Sequence, residues 1–181
     1  MPPAPAVRLA EIAATPGRLS ERAQALLHEL GRHIPFDASW IALADPLSSG
    51  YSSLASTSLD QRTVQYLSGP EAAHDIEVSG THRAGPPLSP SDLPCPAGDL
   101  PTWAECLTPA GFHEALAVGL FGPGQRHVGY LALLSAGTQP PAEALRNRLG
   151  AAAGRQPARL ATVTGGRCVY ATRRPGETIV E

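Results

Sequence analysis

The side chains best equipped for chemistry in this 181-residue chain are three cysteines and six histidines. Cys95, Cys106 and Cys168 are odd in number and irregular in spacing, so they do not read as a disulfide framework. No close pair of them stands beside a base that would lower a thiol pKa. His28, His33, His74, His82, His113 and His127 include no His-x-x-x-His pair, and Cys-x-x-Cys is absent, so a zinc site has no spacing to rest on. Gly122-x-Gly124 lacks the further glycines, or the Gly-Lys-Ser/Thr, of a phosphate loop and reads as a turn. No Gly-x-Ser-x-Gly marks a nucleophilic serine. What remains is a set of large side chains, Trp40, Tyr51, Trp103 and Phe112, suited to the apolar wall of a small-molecule pocket.

These residues need elements to position them. A chain of this length can bury a core without staples, and with aromatics at 5% that core is aliphatic. Net charge is −2 and spread along the chain; the basic stripe that neutralises phosphates is missing, which argues against direct nucleic-acid binding. Every basic residue other than histidine is Arg, and with the heavy Ala, Gly and Pro usage this reads as the composition of a GC-rich genome. Residues 1–5 lack the charged and apolar regions of a secretory signal, and the longest apolar runs are too short to span a bilayer; the expectation is a soluble, cytoplasmic protein without a membrane partner.

Residues 1–17 read as a flexible, Pro- and Ala-rich arm with one short turn. From Ser20, a candidate N-cap, Ala23, Leu26, Leu27 and Leu30 recur at helical spacing to a closing Gly31. Phe36 to Ala44 reads as a strand covered on both faces, and Tyr51–Thr57 pairs with it through the Asp45–Gly50 turn. Asp60 caps a helix ending near Gly69-Pro70. Glu71–Pro101 reads as a long irregular segment, with at most a short strand at Asp75–Val78, and its prolines suit a lid or pocket wall. Thr102 caps a short helix over Trp103–Leu107. His113–Phe121 and His127–Leu134 form the clearest hairpin, and Pro140 or Pro141 opens a last helix toward Ala153. Residues 155–181 form a tail or the start of a following segment, with a small hairpin at Gly165-Gly166. The order predicts an α+β fold with an antiparallel sheet and the terminal helices packed together on one face.

Several stretches carry a family resemblance: Leu26–Phe36 (LLHELGRHIPF), Asp37–Pro46 (DASWIALADP), Ser91–Pro94 (SDLP), Trp103–Phe121 (WAECLTPAGFHEALAVGLF) and Gln125–Leu134 (QRHVGYLALL). Over residues 18–154 the chain resembles a GAF domain, of the kind found upstream of LuxR-type helix-turn-helix segments in bacterial transcriptional regulators. The resemblance implies a PAS-like sheet with a pocket on one face and a non-enzymatic sensory role in signalling or transcription regulation. The pocket would take a small molecule such as a cyclic nucleotide, tetrapyrrole or metabolite, or remain empty while the domain dimerises. Its expected place is between the sheet and Glu71–Pro101. Trp40, Tyr51, Trp103, Cys106 and Phe112 would line it, with His82 and Asp92 at the mouth; no cofactor is specified. A homodimer would use Ala23, Leu26, Leu27, Leu30, Leu145 and Leu149. One class of the family reduces free methionine sulfoxide through clustered cysteines, which makes Cys95 and Cys106 the residues of an alternative, catalytic reading. A bilin on Cys106 lacks its neighbouring His, and a haem on His82 or His113 would rest on one ligand alone.

Overall fold

In the computed structural model, residues 5–153 are described. Cys168, the tail over 155–181 and its Gly165-Gly166 hairpin lie outside them. The element order is α1 (Pro5–Ala14), α2 (Leu19–Gly31), β1 (Ala38–Ala44), β2 (Tyr51–Thr57), α3 (Gln61–Leu67), α4 (Pro70–Val78), β3 (Glu114–Phe121), β4 (His127–Ser135) and α5 (Glu143–Ala152). Between α4 and β3 run two single 3-10 turns, Pro90–Asp92 and Ala97–Asp99, and a wide π-type turn, Thr102–Leu107.

The four strands form one antiparallel sheet in the order β2-β1-β4-β3. The two hairpins therefore join in a single layer through β1 and β4, which pair from Ala38↔Leu134 to Leu43↔Gly129. Gly129 permits the close approach at the end of that ladder: a Cβ there would stand 2.3 Å from the Ala42 carbonyl oxygen. Between β3 and β4, Gly124 takes a left-handed backbone with φ of 70°. A bulge shifts the β1–β2 register between Ile41 and Ala42. The free edge of β3 is partly covered, because Leu88 and Ala117 exchange two backbone hydrogen bonds of 2.9 Å.

Because side chains alternate across a strand, each strand feeds two cores. One face gathers Ile41, Leu116, Val118, Leu131 and Leu133 under Leu9 of α1, Leu27 and Leu30 of α2, and Leu149 of α5. The other gathers Ala38, Trp40, Ala42, Ala115, Tyr130, Ala132 and Leu134 under α3, α4 and the 79–107 segment. The terminal helices thus share one face, as expected, and two short helices and a loop wall cover the opposite one.

Several expectations need correction. Residues 71–78 continue as helix α4, so Asp75–Val78 is not a strand. Pro70 at its first turn starts the helix, and Ala72, Asp75 and Ile76 turn one face inward. The irregular wall is therefore 79–101. The arm is not loose throughout, since α1 packs on α2 and α5. Arg18, not Ser20, is the N-cap of α2, and its backbone N–H donates to Glu21 at 3.3 Å. Gly31 is the last helical residue rather than a left-handed cap, and the missing side chain makes room for the Phe36 ring. Thr102 is the first residue of its π-type turn, with Pro101 as cap. The cap of α5 is Ala142, one residue beyond Pro141. Asp60 caps α3 as expected, accepting from the Thr63 N–H at 2.7 Å.

Candidate functional site

An apolar cavity of about 80 Å³ lies on the aromatic face of the sheet, beneath α4 and the 79–107 segment. Its floor is Trp40 with Ala115, Ala117, Tyr130, Ala132 and Leu134, where alanines stand at positions that a larger side chain would fill. Helix α4 supplies the wall through Ala72, Asp75, Ile76 and Ser79, the spacing of a single helical face. Leu88, Ser89, Pro90 and Leu93 of the Pro-rich wall close one side, and Thr102, Trp103 and Leu107 close another.

A few polar groups converge on this apolar space. Asp75, 4% exposed, accepts from the Thr102 N–H at 2.7 Å and so fixes the π-type turn to α4. The Thr102 hydroxyl is sealed from solvent and has no hydrogen-bond partner among the described residues. The Ser79 and Thr81 hydroxyls lie 3.1 Å apart and both donate to the Ile76 carbonyl, which also receives His82 Nδ1–H at 3.1 Å. Burial pushes the Tyr130 phenol well above its ordinary pKa, with a hydrogen bond from Thr81 opposing.

Behind Ser89 stands a charged cluster. Asp92 accepts from the Ser89 N–H and hydroxyl, both at 2.8 Å, and pairs with Arg146 of α5. Arg146 also donates to the Ser89 hydroxyl at 2.6 Å. Burial pushes the Asp92 carboxyl up, but the Ser89 hydrogen bonds and Arg146 outweigh it and hold the pKa below its ordinary value. Glu114 at the start of β3 is buried, and its Oε2 has no hydrogen-bond partner among the described residues. Burial raises its pKa despite the nearby Arg146.

The candidate site residues scatter over this frame. Trp40 and Trp103 line the cavity. Asp92 stands one step behind it, through Ser89. Tyr51 and His82 line a separate polar groove of about 360 Å³ with His127. Tyr51 still touches the Trp40 ring edge-on, at 6.0 Å between centroids, and burial and then the charge of Glu77 push its phenol up to about 12. Phe112 packs at the margin of the aromatic core. Cys106 lines a third cleft, beside Asp60 and Tyr66. Burial, and then the Asp60 charge, raise its thiol pKa. It carries the free thiol, whereas Cys95 is disulfide-bonded, so the two are not joined to each other. Sequence reasoning missed Asp75, Ser79, Ser89 and Thr102. The Ala72–Asp75–Ile76–Ser79 spacing carried the signal for the first two, but reading 71–101 as irregular concealed it.

The opposite face has its own groove of about 340 Å³ among α1, α2 and α5, lined by Leu and Ala with Ile41 and by no polar side chain. The stripe assigned to a homodimer contact is largely spent here: Ala23, Leu27, Leu30 and Leu149 are all buried within the molecule. Among the described residues, no cluster of His, Cys, Asp and Glu could hold a metal ion, and no helix is long and apolar enough to cross a membrane.

No protein-family model and no curated protein matches the sequence. Solved structures do match in shape. The GAF domain of a phosphoenolpyruvate-protein phosphotransferase from Acinetobacter is 17% identical, with 82% of this chain and 86% of that one covered and a TM-score of 0.59. Its counterpart from Coxiella burnetii is 18% identical over the same shares, with a TM-score of 0.58. A GAF domain/HD domain protein from Geobacter sulfurreducens is 16% identical, covering 81% and 94%, with a TM-score of 0.52. At such identities the likeness is one of fold: the chain has the α+β fold of GAF domains.

Proposed function

We propose that this chain is a non-enzymatic sensory or regulatory module that binds a small molecule between the sheet and the 79–107 segment, in bacterial signalling or transcription regulation. The observation that carries the reading is the cavity itself. It is apolar, with a few converging hydrogen-bonding groups, which is the usual build of a small-molecule site. A ligand acts by favouring the conformation it binds best. Here the cavity wall is tied to the terminal helix, because Arg146 of α5 holds both Ser89 and Asp92. A ligand that moves the wall therefore alters the support of α5, and this is the route by which occupancy reaches a partner or a following segment.

A binding role fits these residues better than cysteine-dependent reduction. Burial raises the Cys106 thiol pKa, and the thiol opens on a cleft away from the cavity. Of the α2 and α5 stripe expected to form a homodimer, only Leu26 and Leu145 keep part of their surface exposed.

Ala132→Leu tests the reading, since it places three more carbons in the cavity floor. In a thermal-shift screen of small metabolites on the full chain, compounds that raise the Tm of the parent leave the variant unmoved. A screen without any stabilising compound, or equal shifts in both proteins, overturns the proposal.

A further inference from the structure

We propose that the cavity takes a small uncharged alcohol or phenol, its hydroxyl on Thr102 and its carbon skeleton against Trp40 and Trp103, and rejects phosphate-bearing ligands such as cyclic nucleotides. This deepens the binding reading above and rests on it.

Three observations select the class. The first is charge. Asp75 is the single charged residue of the lining, and no Arg or His lines the cavity with it. Arg146, which reaches the wall at Ser89, is already committed to Asp92 and Ser89. An anionic ligand would meet the Asp75 side chain in an apolar lining that holds no cationic residue, which disfavours it strongly. The second is size. An engineered apolar cavity of about 150 Å³ holds one benzene, and this one has about 80 Å³. By that measure the space as it stands holds about three non-hydrogen atoms, a small alcohol, and a ring the size of phenol enters only as the wall shifts outward; a nucleotide is far too large.

The third is the leftover hydrogen-bonding group. Thr102 is 8% exposed and lines the cavity. Its N–H is taken by Asp75, while its Oγ1 is buried without a partner among the described residues. A hydroxyl is both donor and acceptor. A ligand hydroxyl satisfies it in either direction, whereas a hydrocarbon leaves it unpaired. The two indoles supply the flat apolar surface for the rest of the molecule.

The test is a calorimetric titration of the full chain with phenol, anisole, benzene and cyclic AMP. Phenol binds, benzene binds about tenfold more weakly, the expected loss when a buried hydrogen bond is not made, and anisole, whose ether oxygen accepts but cannot donate, falls between them. Thr102→Val abolishes that preference and Thr102→Ser restores it. Should Thr102→Val not fold, the order of the four probes on the parent decides alone. Equal binding of phenol and benzene overturns the hydroxyl assignment while leaving the cavity as a site; it means that water suffices for Thr102. Binding of cyclic AMP, blocked by Ala132→Leu, overturns the proposed class and preserves the binding module. If none of the four binds, the proposal falls, and the binding module then stands or falls on the metabolite screen.

Discussion

The two faces of the sheet are built from the same strands and cover themselves in different ways. On one face, β3 and β4 present Leu116, Val118, Leu131 and Leu133, and the terminal helices answer with Leu27 and Leu149, both fully buried. On the other, the same strands present Ala115, Ala117 and Ala132, and the cover is a helix of nine residues followed by a Pro-rich wall. Large aliphatic residues under long helices give cohesion. Small residues under a jointed wall give space, and Asp75, Ser79, Ser89 and Thr102 place polar groups around it. The groove left on the helical face has none of these and offers only apolar contact. A single alternation along a strand thus separates a face that holds the fold from a face suited to binding.

The sharpest way to break this division is to remove side chains from the cohesive face. Leu149→Ala should cost about 2–5 kcal/mol in urea unfolding, the range for emptying a fully buried leucine site. A loss below about 1 kcal/mol would mean that α5 is dispensable to the core and that the helical face is not the cohesive one.

The next test addresses the link between the faces. A double-mutant cycle of Arg146→Ala and Asp92→Ala should return a coupling of about 1–3 kcal/mol, since their pair is partly buried and shared with Ser89. Additive losses would separate wall from helix and remove the proposed route of the signal.

The smallest expected effect is on pH dependence. Asp92, with its folded pKa below the ordinary aspartate value of 3.8, contributes stability above that value and loses it as pH falls through the lowered pKa. Glu114 works in the opposite direction. Its folded pKa lies above the ordinary glutamate value of 4.5, so stability rises as pH falls through the raised pKa and the gain is complete below 4.5. Calorimetric Tm values should therefore climb slightly on mild acidification and then drop at lower pH. Glu114→Gln should remove the climb and keep the drop; a climb that persists would assign it to another group.

Much of the frame was legible in the sequence. Alternation in Ala38–Ala44 and His127–Leu134 marked strands covered on both sides, turn residues placed both hairpins, and Asp60 announced its helix. Phe112, as a large apolar side chain, and Cys106 are expected from the sequence in the pocket lining. However, a π-type turn points Thr102, Trp103 and Leu107 at the cavity and turns Cys106 to another cleft. Tyr51, expected in the pocket lining, and His82, expected at its mouth, open instead on the groove beside it. Helix α4 was hidden by a reading dominated by the prolines that follow it.

Periodicity and turn chemistry are local properties, so the residues alone determined where strands and hairpins begin, which side chains alternate, and that one α+β domain would bury an aliphatic core. The pairing of β1 with β4, the union of Asp75 with Thr102 across 27 positions, and the reach of Arg146 to Asp92 across 54 depend on contacts between distant segments. No spacing rule encodes such contacts. They are set by which faces can be buried together, and only the folded chain decides that.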